Sequence, residues 1–544
     1  MNPEEFDIII IGGGINGAAI AREAQTRGLR VILLEKNDFA SGTTQYSSRL
    51  IHGGLRYLEQ FEFGLVFEAL QEREYLLKTA PHLVRPLHFL IPNYLHSTRD
   101  LWYLRLGMIG YDFLSFLKSL PWHTYWKNAN LVKLVEPGIE TAQLNGAVAY
   151  YDGQVNFPER LCLANILSAQ HAGAIVKNYH HVTKILTQNK TVIGVQTQDL
   201  LTKQQQTYYA SLVINASGPW VDQTNELIKS LGPLSLEIGG TKGSHIVVKP
   251  WKSAPRRAIY VEAYHDRRPI FIIPWRKYIL IGTTDIPFHG KLETVYPTTK
   301  EAQYFLDETN RLFPDAQLTT QKIIHAYAGV RPLPSIRKEA PGDIPRSHII
   351  HDYQQDGITG YLSIISGKIT TNRSLAQETI NTLQSKLPPH IAKKIKRSQT
   401  KSTPLFGGSI KNIEQYCKDN LSKIENTYHL DREQAQYLID MFGTEHQKIL
   451  AYCEHNKSLN KRISQYHPDI LAQIYYCIEH EHVKTLSDFL LRRTGIGSGE
   501  NQGLDCIQTV AKIMAPKLNW TAQHTKQQIQ QYKKEIKIRY TLHN

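Results

Sequence analysis

Asp7-Ile-Ile-Ile-Ile11-Gly12-Gly-Gly-Ile-Asn-Gly17 is the stretch on which the fold turns. Four consecutive isoleucines read as a short strand buried on both faces. The run stops at a glycine cluster, and the Ala-rich segment 18–27 reads as a helix. Residues 29–34 then resume strand character and end on Glu35, which completes a βαβ unit. Gly12, Gly14 and Gly17 fit the GxGxxG spacing. The first glycine makes the turn, the second lets backbone approach a pyrophosphate, and the third lets helix and strand pack closely. The helix N-terminus stabilises phosphate charge, and Glu35 can accept hydrogen bonds from a ribose. This is a dinucleotide site that does not by itself choose between flavin and nicotinamide.

Around that unit the chain has 544 residues, enough for more than one domain, and ordinary apolar and charged contents of 41% and 21%. The most apolar stretch, 101–122, is interrupted by Arg105, Asp112 and Lys118, so no membrane span is expected. No basic, cleavable leader precedes the first strand, which reads as an unexported protein. The five cysteines show no CxxC spacing, which fits reduced cytoplasmic thiols and predicts no metal site. A formal net charge of +14 calls for an anionic partner without saying which. Residues 61–78 read as a helix closed by Pro81 and Pro86. From about 145 to 330 β-like runs dominate. Beyond the basic segment 393–397 and Thr403-Pro-Leu-Phe-Gly-Gly408 the chain reads as helical.

Six further clusters carry possible chemistry. Asn215-Ala-Ser-Gly-Pro-Trp220, with Ala216 and Gly218, ends a strand on small residues that can pass close to a dinucleotide. Ser47-Ser-Arg-Leu-Ile-His-Gly-Gly-Leu-Arg-Tyr57 sets Arg49, His52, Arg56 and Tyr57 around Gly53 and Gly54, and arginine offers a planar fork for phosphate. Lys242-Gly-Ser-His245 places His245 at a strand start. Gly282-Thr-Thr-Asp285 ends another strand with Thr283, Thr284 and Asp285. Gly329-Val-Arg-Pro-Leu333 puts Arg331 in a tight turn. Ser366-Gly-Lys-Ile-Thr-Thr371 is read as opening a helix that runs to about Lys386, its free amides and Lys368 offering positive charge to a cofactor ring.

In this order the clusters resemble the FAD-dependent respiratory glycerol-3-phosphate dehydrogenases of the D-amino-acid-oxidase-like flavoprotein superfamily. The resemblance covers the chain to about residue 390 and continues more weakly through Glu479-His-Glu-His482 and Arg492-Arg-Thr494. It implies a mixed α/β fold: a Rossmann-like FAD-binding domain (1–80, 145–235 and 325–390) interleaved with an antiparallel-sheet substrate domain (81–144 and 236–324), then a helical C-terminal domain (400–544). It implies oxidation of sn-glycerol 3-phosphate to dihydroxyacetone phosphate by hydride transfer to FAD, with electrons passed to a membrane quinone. An oxidase that reduces oxygen to hydrogen peroxide is the alternative.

Arg56, Tyr57, Thr283, Thr284, Asp285, Arg331 and Lys368 would bind substrate. His245 is the first candidate for the base, with His52 and Arg331 as rivals. The implied cofactor residues are Gly12, Gly14, Gly17, Glu35, Ser47, Ser48, Gly53, Gly54, Val182, Ala216, Gly218, Gly329, Gly367, Lys368, Ile369 and Thr370. Departures from the family pattern include Ser366 and Asn372, which stand where relatives commonly carry Gly and Tyr. Similar enzymes lie peripherally on the cytoplasmic face of the membrane, and a homodimer is an expected assembly. Segments 249–257, 393–397 and 526–539 are the expected membrane contacts, with Ile529 and Ile536 forming an apolar face in the last. No nucleic-acid motif interleaves aromatic and basic residues, so no such partner is expected.

Overall fold

The computed structural model describes residues 4–55, 62–115, 119–232, 234, 238–334 and 347–544. The isoleucine run forms the strand Glu4–Ile11 at the centre of the first sheet. It pairs in parallel with Val31–Leu34 on one side and Gln205–Asn215 on the other, with Ile8 opposite both Val31 and Leu212. Tyr361–Ile365 and Ile175–Lys177 extend the parallel set. Alternate side chains of a strand face opposite ways. Ile8 and Ile10 accordingly join a core with the helices Ile15–Thr26, Pro158–His171 and Asn372–Leu383. Ile9 and Ile11 face Val182, Val195 and Tyr353 on the other side. Burial on both faces explains why the run has no polar alternation.

Among the described residues the second sheet has ten strands. Its long members are Val84–Tyr94, Leu144–Val155, Ile238–Val248 and Ile323–Pro334. Pairing is antiparallel except where Ala258–Glu262 meets Val84–Tyr94, a parallel seam that joins two antiparallel blocks. Leu144–Val155 and Ile323–Pro334, within segments expected above to belong with the cofactor domain, hydrogen-bond in this second sheet. We propose that the domain boundary follows sheet membership and places both strands with the second layer.

Six helices, Ile413–Tyr428, Arg432–Phe442, His446–His455, Ala472–His480, Ile507–Lys517 and Ala522–Arg539, make up most of the C-terminal region. Their apolar faces share one core with the second sheet: Leu438, Tyr476, Phe489 and Tyr532 pack in the same cluster as Phe89, Val247 and Trp275. Ile529 and Ile536 belong to this core. The apolar side of the last helix therefore faces inward, and the expectation that it meets a membrane is corrected. The core offered that stripe a partner within the chain itself.

Candidate active site

A cavity of about 700 Å³ runs between the first sheet and the second. At its floor the glycine loop behaves as the spacing requires. Gly12 has φ +110°, and a Cβ there would lie 2.6 Å from the Ala216 carbonyl oxygen. A Cβ on Gly17 would lie 2.0 Å from the Gly12 carbonyl oxygen, so helix and turn could not approach as they do. Glu35 accepts from the Gly13 and Asn37 amides at 2.6 and 2.8 Å. Burial raises its pKa more than these bonds lower it. Asn16 donates to the Ser366 carbonyl at 2.9 Å, while its buried Oδ1 meets no partner among the described residues.

At the other end lie His52, His245, Thr283, Arg331 and Lys368, all lining the same cavity. His245 Nε2 is 2.8 Å from Ser48 Oγ, and its ring stacks on Tyr327 at 4.9 Å. Burial, then the charges of Arg331 and Arg49, hold its pKa well below that of a free histidine. The imidazole is thus neutral at neutral pH and able to take a proton. Arg331 is held by the Asp285 carboxylate at 2.9 Å, Thr283 Oγ1 at 3.0 Å and the Thr284 carbonyl at 3.2 Å. The grip fixes a guanidinium at the cavity wall. Thr284 and Asp285 themselves do not line the cavity. Thr284 is buried, accepting from the Ser244 amide and donating to Glu301.

The remaining expected residues divide as follows. Gly12, Gly14, Glu35, Ser47, Ser48, Val182, Ala216, Gly218, Gly329, Gly367, Ile369 and Thr370 line the cavity. Gly17, Gly53 and Gly54 stand behind it. The Gly53 amide donates to the Tyr111 hydroxyl at 3.2 Å. Arg56 and Tyr57 lie outside the described residues. Arg49, read as a possible phosphate fork, is buried and turned inward, bonded to the Asn156 carbonyl at 2.7 Å and paired with Glu159 at 3.4 Å. A carboxylate fixed within the fold claimed it first.

The helix expected to open at residues 366–371 begins only at Asn372. The amides beside the cavity therefore belong to a loop, pinned to the His52 amide through Thr370 Oγ1 at 3.1 Å. Glu301 was missed. Its carboxylate accepts from Lys242, Ser244, Thr284 and Thr298, and so anchors the strand end that holds Arg331. The sequence did carry a signal for it: Thr298-x-x-Glu301 is a capping-box pattern, formed here at the start of the helix Thr299–Leu312.

A model of FAD-dependent oxidoreductases matches residues 7–373, and one described as the C-terminal domain of alpha-glycerophosphate oxidase matches 398–525. A Synechocystis protein named glycerol-3-phosphate dehydrogenase is 42% identical over 97% of this chain and 95% of its own length. A Brucella abortus protein named D-erythritol 1-phosphate dehydrogenase is 35% identical over 90% of this chain and 94% of its own. Among solved structures, the glycerol-3-phosphate dehydrogenase of Bacillus halodurans complexed with FAD superposes with a TM-score of 0.79. It is 27% identical and covers 98% of this chain and 95% of its own.

Proposed function

Because the chain belongs to the FAD-dependent glycerol-3-phosphate dehydrogenases, within the wider FAD-dependent oxidoreductase family, we propose that it oxidises sn-glycerol 3-phosphate to dihydroxyacetone phosphate and passes the electrons to a membrane quinone. FAD is the cofactor, and the residues present fit it. The loop at Gly12 admits backbone-close phosphates, Glu35 suits the ribose, and the cavity reaches from there to Lys368. When bound, FAD supplies the hydride acceptor.

The observation that carries the reading is a buried His245 sharing a cavity with Arg331 and Lys368. A phosphate monoester brings up to two negative charges, which a fixed guanidinium and a lysine lining the same cavity can meet. Arg331 would hold that phosphate. His245 would take the proton of the carbon 2 hydroxyl as the hydride leaves, directly or through Ser48 Oγ at 2.8 Å. In the anaerobic protein, glycerol 3-phosphate should bleach the flavin. In Arg331→Ala the flavin should stay bound and yellow on adding substrate. Near-normal bleaching in that variant would remove Arg331 from the site.

For the acceptor, the supporting feature is a face suited to a lipid surface. Trp102 (61% exposed), Leu106 and Phe113 project from the helix Leu101–Leu114, with Trp122 packed edge-on against Phe113 and Arg105 nearby. Aromatic and basic residues on one amphipathic helix suit a membrane interface. No described helix is long and apolar enough to cross a membrane. Two other readings have specific support. The C-terminal match is to a domain described from an oxidase, and one relative is named for a four-carbon polyol phosphate. Reoxidation by a quinone analogue should outpace that by oxygen, without peroxide. Preferential bleaching by erythritol 1-phosphate would reassign the substrate.

A further inference from the structure

At the end of the cavity marked by Glu35, three remote chain segments meet on one residue. Glu293 accepts from Trp220 Nε1 at 3.0 Å and lies 3.8 Å from Lys36 Nζ. The Lys36 ammonium sits over the Trp220 ring, 4.4 Å from its centroid. Arg539, the final residue of the last helix, donates to the Glu293 backbone carbonyl at 3.0 Å and lies over the Tyr46 ring at 5.6 Å. Lys36, Gly42, Tyr46 and Trp220 all line the cavity, and a Cβ on Gly42 would press on the Trp220 ring at 3.1 Å. Glu293 is not a lining residue, and its side chain is 58% exposed. That exposure sets the constellation where the cavity meets solvent.

We propose that Lys36, Trp220 and Glu293 form a latch that retains the adenosine half of FAD, and that the last helix holds the latch in place through Arg539. A dinucleotide lying between Glu35 and Lys368 has its adenosine end against this wall, so loosening the wall is the route by which that end escapes. Each contact is exposed and weak alone. The indole hydrogen bond and the ion pair share the Glu293 carboxylate, however, so its loss frees the indole and the ammonium from it together. This gives the C-terminal region a part in holding the cofactor. The inference rests on FAD as the occupant and is independent of the substrate and the electron acceptor.

The test is FAD dissociation from the holoenzyme, followed as the rise of free-flavin fluorescence after dilution. Glu293→Ala and Trp220→Phe should each speed release about 3- to 30-fold, the value of one hydrogen bond, neutral or charge-assisted. Their double variant should be no faster than the faster single. Glu293→Gln, which keeps an acceptor for the indole, should recover part of the loss, and Arg539→Ala should resemble Glu293→Ala more weakly. Release from the natural protein should quicken with ionic strength, as an exposed ion pair requires, and Glu293→Gln should lose that dependence. Flavin that remains bound should still bleach with glycerol 3-phosphate, so the latch can fail without the proposed activity failing. Release rates indistinguishable from the natural protein's would overturn the latch. So would faster release that merely tracks a lower melting temperature of the apoprotein, or an unchanged salt dependence in Glu293→Gln.

Discussion

At the scale of single residues, the proposed site depends on one buried histidine beside a fixed guanidinium. Burial, reinforced by Arg331 and Arg49, depresses the His245 pKa, so the ring protonates only at pH values well below 6.5. A base is lost when it protonates. The acid limb of kcat/KM for the free enzyme should therefore fall below pH 6.5, and a limb at or above that value would exclude His245. His245→Asn should lower kcat by roughly 10²- to 10⁴-fold, the usual worth of a positioned base, while FAD stays bound. Ser366 shows a different pressure. It sits at φ +62°, a left-handed conformation that favours glycine. Ser366→Gly should stabilise the protein by about 0.5–1 kcal/mol, the relief of strain less the extra freedom glycine gains when unfolded. Thermal melting of the holoenzyme checks this, and a lower melting temperature would refute it.

At the scale of elements, the helix Leu101–Leu114 serves two sides at once. Its buried face carries Tyr111, whose hydroxyl accepts from the Gly53 amide and donates to Asp152 at 2.7 Å. Asp152 in turn pairs with the fully buried Arg73. The other face presents Trp102, Leu106 and Phe113. Trp102→Ser with Phe113→Ser should leave flavin bleaching by substrate intact, because neither side chain lines the cavity. The double variant should move from sedimenting with anionic vesicles to the supernatant. Unchanged sedimentation would transfer the membrane contact elsewhere, for instance to residues 393–397. Among the expected contacts, Lys249 is paired with Glu500 at 2.9 Å and Arg257 lies 3.7 Å from Glu136. Part of the basic surplus in segment 249–257 is therefore compensated within the fold.

At the scale of the molecule, the C-terminal helices and the cofactor half are joined through buried charge. Asp38, three residues past Glu35, accepts from Arg492 at 2.5 Å and from Arg493 at 2.8 Å. Burial pushes its pKa up, but the two guanidinium groups outweigh that and hold it down at about 2. Arg160 and Glu481 make a second such bridge. Asp38→Asn would leave the buried Arg493 short of a counter-charge and Arg492 leaning on Asp488, at a cost of about 3–5 kcal/mol. Denaturant unfolding should show this loss near neutral pH. The depressed carboxylate stabilises the fold above its unfolded pKa and loses that contribution as pH falls toward 2, so the gap between variant and natural protein should narrow in acid. A gap independent of pH would place the effect in packing.

Reading the chain from its residues yielded the βαβ unit and the glycine loop of the cavity, because those depend on local rules: strand burial, glycine at a tight turn, a carboxylate at a strand end. The ring of residues at the far end of the cavity was legible as a set of motifs. The work of each arginine was not, since Arg49 and Arg331 look alike in sequence and each pairs with a carboxylate, Glu159 or Asp285, yet of the two it is Arg331 that lines the cavity. Tertiary structure alone decided that the tail's isoleucines face a core, that Ser48 meets His245 across 197 positions, and that Arg539 closes on Glu293. Local spacing fixes which groups a segment offers. Which of them meet is set by long-range packing, where a buried charge takes the nearest compensating partner whatever its distance along the chain.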